Sequence, residues 1–210
     1  MGLLDGRKGL IFGVANERSI AWHIAQSLVA EGAICGFSHL PGEKMERRVR
    51  QTIERGGIKD PWLFPCDVSR DEDIAAVFEA AKRDFDTLSF VVHSVAFADK
   101  EYLKIGRFTD TPRHVFTQAL DISAYTLIAM AQHARPLMTA GGSILALSYY
   151  GAEKVVPGYN VMGVAKAALE ASARYLAAEL GRYNIRVNTL SAGPCRTLSA
   201  MAVGGIDEMF

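Results

Sequence analysis

The chain has 210 residues, half of them apolar and 22% charged, which suits one domain with a large buried core. Its 23 basic residues equal its 23 acidic ones, so no global field would hold a polyanion, and nucleic acid is not expected as the main partner. Three widely spaced cysteines (Cys35, Cys66 and Cys195) argue against a disulfide framework or metal cluster, and the lack of a long apolar run points to a soluble, cytoplasmic protein without membrane spans.

Short apolar runs alternate with longer amphipathic segments throughout. That alternation predicts one doubly wound parallel α/β sheet, Rossmann-like, with right-handed crossovers. The first strand is expected at 9–12, apolar on both faces as a strand covered on both sides must be. It runs into Gly13-Val14-Ala15-Asn16-Glu17-Arg18-Ser19-Ile20-Ala21 and a helix over 20–31 ended by Gly32. A dinucleotide fingerprint wants three glycines; only Gly13 is present, with Ser19 and Ala21 at the small positions of a slightly longer loop. Ser19 can cap the helix and offer its hydroxyl to phosphate beside the positive helix end. A plain strand-to-helix turn is the alternative.

The second strand, 33–37, leads to Ser38-His39-Leu40, where an acidic residue would normally hold an NAD ribose. Leu40 cannot do so, and no cation stands at the strand tip for a 2′-phosphate. Lys44, Arg47 and Arg48 follow on a helix over 43–55, and a solvated face is the plainer reading of them. The third strand, 62–66, ends in Cys66-Asp67-Val68, with Asp67 suited either to an adenine amino group or to a turn. Ser69 before Asp71-Glu72-Asp73 signals the start of a helix over 71–84. The fourth strand, 88–93, ends in His93-Ser94-Val95-Ala96-Phe97-Ala98, small residues that would admit a ribose. His93 itself reads as a satisfied, buried histidine rather than a ligand or base. One long helix is expected over 113–138, then a strand over 143–148, a helix over 159–180 ended by Gly181, and a buried strand over 185–190.

Ligands of such sheets bind beyond the carboxyl ends of the strands, where strand order reverses. Just after the fifth strand stands Ser148-Tyr149-Tyr150-Gly151, and then Pro157-Gly158-Tyr159 through Lys166. Tyr159 and Lys166 are seven apart, about 20° short of two helical turns, so on a helix opened by Pro157 they would share a stripe. A phenol with pKa of about 10 is a poor acid at neutral pH, and a neighbouring ammonium would lower it. The same lysine can donate to ribose hydroxyls. A Tyr and a Lys on an ordinary helix is the alternative.

These segments carry a resemblance. MGLLDGRKGLIFGVANERSIAW, VVHSVAFA, DIS at 121–123, SYYGAEKVVPGYNVMGVAKAALE and RVNTLSAGPCRTL make the chain similar to the short-chain dehydrogenase/reductases. Within them it resembles the bacterial NADH-dependent enoyl-[acyl-carrier-protein] reductases, because ordinary members carry Tyr-x3-Lys and a catalytic Ser. The resemblance implies Tyr159 as acid or oxyanion-stabilising phenol, Lys166 as ribose-binding lysine and Tyr149 as a second tyrosine lining the acyl site. It implies a cofactor site of Gly13, Ser19, Ile20, Leu40, Asp67, Val68, Ser94, Val95, Lys166, Cys195, Thr197 and Ser199. Ala98 would touch substrate together with Tyr149 and Tyr159. NADH, an acyl-carrier-protein-bound substrate and a homotetramer are implied as cofactor and partners. A carbonyl (3-ketoacyl or other) reductase of the same superfamily and a non-catalytic NAD-binding sensor are the alternatives.

The chain departs from its relatives in three places. Cys195 stands where they commonly have Ile, and Leu40 where many have Gln. They also run on beyond the position of Phe210. Residues 1–210 are therefore expected to form one dinucleotide-binding and catalytic domain without the family's last strand, from a longer natural polypeptide.

Overall fold

The computed structural model describes residues 2–193, 195 and 197. Six parallel strands, β1 (Lys8–Phe12), β2 (Ile34–His39), β3 (Leu63–Pro65), β4 (Phe90–His93), β5 (Gly142–Tyr149) and β6 (Ile185–Ala192), form one sheet. Their order is β3-β2-β1-β4-β5-β6, so the chain steps outward from β1 to β3 and then resumes on the other side of β1. Strand order reverses between β1 and β4, where Leu10 pairs with Gly36 of β2 and Val91 of β4.

The helices are α1 (Ile20–Ala30), α2 (Glu43–Arg55), α3 (Asp71–Phe85), α4 (Arg113–Leu120), α5 (Thr126–Ala134) and α6 (Asn160–Leu180). Alternation along β1 feeds both layers. Ile11 joins Trp22, Phe37, Val49 and Ile53 under α1 and α2, whereas Leu10 and Phe12 join Phe78, Leu127, Met130 and Leu169 under α3, α5 and α6. Each such side chain is worth about 1.5–3 kcal/mol on burial, so sheet packing outweighs local propensity. Gly36 leaves room for an aromatic group over β2, since a Cβ there would meet Trp62 at 2.7 Å and Phe85 at 2.8 Å.

Three local expectations are corrected. The segment 113–138 is not one helix: α4 gives way to a π-turn at Asp121–Tyr125 before α5, and a 3₁₀ turn follows at Arg135–Leu137. The cause is polar, because Ser123 and Thr126 turn into the core to meet hydrogen-bond partners on other segments. Ser69 does not cap α3; its hydroxyl and N–H both donate to the Asp67 carboxylate, and Asp73 of the acidic first turn reaches back to accept from the Asp67 N–H at 2.9 Å. Gly181 is the C-cap of α6, as expected, with right-handed geometry, and a 3₁₀ turn ended by left-handed Asn184 follows it. Finally β6 is buried only at Ile185 and Val187 and exposed from Asn188 to Ser191, because among the described residues it pairs with β5 alone. None of the helices among the described residues is long and apolar enough to cross a membrane.

Candidate active site

The carboxyl ends of β1 and β4 meet at the reversal point. Gly13 leaves β1 with φ +105°, a conformation that suits glycine, and a Cβ there would lie 2.0 Å from the Ser94 carbonyl. Ser94 in turn donates its N–H to the Phe12 carbonyl at 3.1 Å. The loop that follows is closed from within. Ser19 sits at the N-cap of α1 without making a capping bond; its hydroxyl accepts from the N–H groups of Ala15 and Asn16, each at 3.0 Å. Asn16 accepts from the Arg18 N–H at 2.9 Å. The expected cap is therefore corrected to a loop stitch, which leaves the start of α1 at Ile20 as a positive helix end beside Gly13.

Leu40 follows β2 as a half-exposed apolar wall, its carbonyl 2.8 Å from the buried His39 Nδ1. Lys44, Arg47 and Arg48 are exposed on α2. Asp67 ends the third strand region, and the Ser69 hydroxyl and N–H hold its carboxyl below the ordinary aspartate range. Val68 and Val95 pack partly buried against the larger core. Cys195 is exposed and accepts from the Thr197 N–H at 2.7 Å, and Ser199 lies outside the described residues.

Tyr149 is the last residue of β5, and Tyr159 lies in the turn just before α6 rather than on the helix, with Pro157 still further upstream. Their rings meet edge to face, 4.9 Å between centroids. Two residues passed over in the sequence make that possible. Gly151 clears the space, since a Cβ would come within 2.4 Å of the Tyr159 ring. Asn160 takes φ +40° and donates its amide to the carbonyls of Tyr102 and Lys104, at 2.7 and 2.8 Å, which fixes where α6 begins. An asparagine directly after a glycine-tyrosine turn was the available signal. Ala98 and Tyr159 pack on the same small cluster of Leu103, Ala119, Val161, Met162 and Ala165.

Lys166, only 6% exposed, sends its ammonium to the Leu147 carbonyl at 2.6 Å. Burial lowers its pKa to about 8, with Glu170 pulling the other way. The expected depression of the Tyr159 phenol by this ammonium is corrected: burial, and then Tyr149, push the phenol above its ordinary value. His93 is wholly buried, its Nε2 2.8 Å from the Thr126 hydroxyl, while its Nδ1 has no hydrogen-bond partner among the described residues. It is thus half satisfied, and burial followed by the Lys166 charge lowers its pKa to about 3. Two buried groups that the sequence reading did not single out also stand here. Ser123 accepts from the Phe97 N–H and donates to its carbonyl, and Ser148 donates to Glu170.

The profile of the enoyl-(acyl carrier protein) reductases matches residues 13–210. A Synechocystis protein named enoyl-acyl-carrier-protein reductase (NADH), FabI, is 50% identical over 208 residues, covering 98% of this chain and 80% of its own. Its Bacillus cereus namesake is 49% identical, with 100% and 81% covered. The crystal structure of the Bacillus cereus enoyl-acyl carrier protein reductase with NADP+ and indole naphthyridinone superposes at a TM-score of 0.95, covering all of this chain and 80% of that one. An Anaplasma phagocytophilum reductase in complex with NAD superposes at 0.92 with 49% identity, covering 99% and 78%. With half of its residues shared with these reductases across nearly its whole length, the chain belongs to the enoyl-(acyl carrier protein) reductase family.

Proposed function

We propose that this protein reduces trans-2-enoyl thioesters, presented on acyl carrier protein, to saturated acyl thioesters with NADH, as a step of type II fatty-acid synthesis. The observation that carries the reading is the Tyr149–Tyr159 pair at the end of β5, with buried Lys166 bonded to the same strand at Leu147, in a chain of this family. The residues at hand fit a dinucleotide. Gly13 lets the backbone pass close to β4, α1 presents a positive end, and Lys166 offers a desolvated cation. Gly13, Ser19, Ile20, Leu40, Asp67, Val68, Ser94, Val95, Lys166, Cys195, Thr197 and Ser199 would hold it. The half-exposed Leu40 gives a 2′-phosphate no ion-pair partner, which favours NADH over NADPH.

When bound, the nicotinamide supplies a hydride to the substrate β-carbon. Negative charge then develops on the thioester oxygen, and a proton must reach the α-carbon to complete the saturated product. Tyr159 stabilises the developing enolate by donating its phenolic hydrogen bond. A raised phenol pKa serves this role, because the group stays protonated at neutral pH. Tyr149 limits the ring's freedom from one side, and Ala98 bounds the acyl chain from the other. Lys166 orients the ribose.

Residues 1–210 act as one dinucleotide-binding and catalytic domain, in the cytoplasm. A homotetramer is supported by apolar residues exposed along α5, its preceding π-turn and α6, namely Tyr125, Ile128 and Tyr175, the last 82% exposed. The deciding assay follows NADH and NADPH oxidation with crotonyl and acetoacetyl thioesters. Turnover of the enoyl substrate with NADH is expected; preference for the keto substrate, or no turnover, would refute the reading. Light scattering after size exclusion reads the oligomer.

A further inference from the structure

Strand β5 and helix α6 are joined twice at one level, by neighbouring strand residues and by helix residues one turn apart. Lys166 donates to the Leu147 carbonyl at 2.6 Å, and the Ser148 hydroxyl donates to Glu170 Oε1 at 2.5 Å. Leu147, Ser148 and Lys166 are all buried, while Glu170 reaches partly into solvent. A buried ammonium with one carbonyl partner is poorly compensated, since the backbone oxygen is a dipole and not a counter-charge. The Glu170 carboxylate, one turn along the helix, makes no direct ion pair with Lys166 but favours its charged form through space, and the serine fixes which way it points.

We propose that Glu170 is a positioning residue: oriented by the Ser148 hydroxyl, its carboxylate keeps Lys166 charged and held against β5, ready for the ribose. The proposal rests on the reading of Lys166 as the ribose lysine and deepens it. Glu170 touches neither substrate nor cofactor and acts through Lys166. The other titratable groups near this charge are neutral or remote. His93 on β4 is kept uncharged by burial, Tyr149 and Tyr159 are phenols, and Asp121 of the π-turn packed against α6 is exposed.

The test follows the Lys166 amine directly, by NMR of the intact protein carrying carbon-13 at lysine Cε, with Lys166→Arg assigning the signal. The parent is expected to titrate at about 8. Glu170→Gln should move that midpoint down by about one unit, Ser148→Ala less far in the same direction, and Ser148→Thr hardly at all. NADH binding, read by fluorescence, should then weaken about fivefold at pH 8 in Glu170→Gln and stay near the parent value at pH 6. A midpoint unmoved in Glu170→Gln overturns the proposal, as does an equal loss of NADH affinity at both pH values, which marks a merely structural residue. A midpoint that moves while NADH binding ignores it upholds the hold of Glu170 on the charge and overturns the ribose reading of Lys166.

Discussion

At the scale of single residues, the Tyr159 phenol is held by what is missing beside it as much as by what is present. Its ring lies over Gly151 and against the edge of Tyr149, buried enough that its proton is retained above the ordinary tyrosine range. Tyr159→Phe keeps this packing and deletes only the donor. Turnover with an enoyl thioester should fall on the order of a hundredfold, while NADH binding by fluorescence changes little, because the hydroxyl acts in the transition state. Equal turnover would remove Tyr159 from the mechanism. Gly151→Ala is the complementary change. A methyl group 2.4 Å from the ring must push it aside, and a shift near 1 Å costs roughly a hundredfold in rate. NADH affinity and the CD spectrum should be preserved, which separates a displaced ring from a misfolded chain.

Among the elements, those whose burial follows a simple rule were legible beforehand. Strands covered on both faces read as apolar runs, and four helices announced themselves by period and by Gly32 or acidic first turns. The segment 113–138 failed because its polar positions do non-local work. Ser123 satisfies the backbone of Phe97, 26 residues away, and Thr126 meets His93 across the core, and the helix widens into a π-turn to let them do so. Sequence periodicity carries no trace of such partners. The spacing of Tyr159 and Lys166 suggested one helical stripe, but the exit of Tyr159 from the helix was not legible, since it depends on Asn160 bonding residues more than fifty positions earlier. Ser123→Ala tests the π-turn. It leaves both polar groups of Phe97 without their partner and should cost about 1–2 kcal/mol in urea unfolding. It should also speed hydrogen exchange at the Phe97 amide and raise KM for the enoyl substrate more than for NADH, because Ala98 sits on that loop. A variant with parental exchange at Phe97 would show that the loop is held by something else.

For the whole molecule, the two buried bases beneath the site set how stability depends on pH. His93 ordinarily titrates at 6.5 but only at about 3 in the folded protein, because burial and then the Lys166 charge oppose its protonation. Below pH 6.5 the unfolded chain binds a proton that the native state refuses, so stability falls as pH drops from 6.5 towards 3. The limiting slope is about 1.4 kcal/mol per pH unit, which amounts to about 2 kcal/mol by pH 5. Lys166 tilts the curve the same way in another window. Its folded value of about 8 lies below the ordinary 10.5, so between those values the unfolded chain again holds the extra proton and stability rises with pH. Exposed carboxylates also lose interactions in acid, and the His93 contribution is isolated by difference. His93→Gln keeps a group able to bond Thr126 but cannot titrate. Urea unfolding from pH 7 to pH 5 should therefore cost the parent about 2 kcal/mol more than the variant, whatever the variant's stability at pH 7. The Thr126 hydroxyl and the orphaned Nδ1 make the expectation sharp, since protonation would add a second buried N–H with nothing to receive it. Parallel stability curves for the two proteins would mean that His93 takes up its proton inside the folded core.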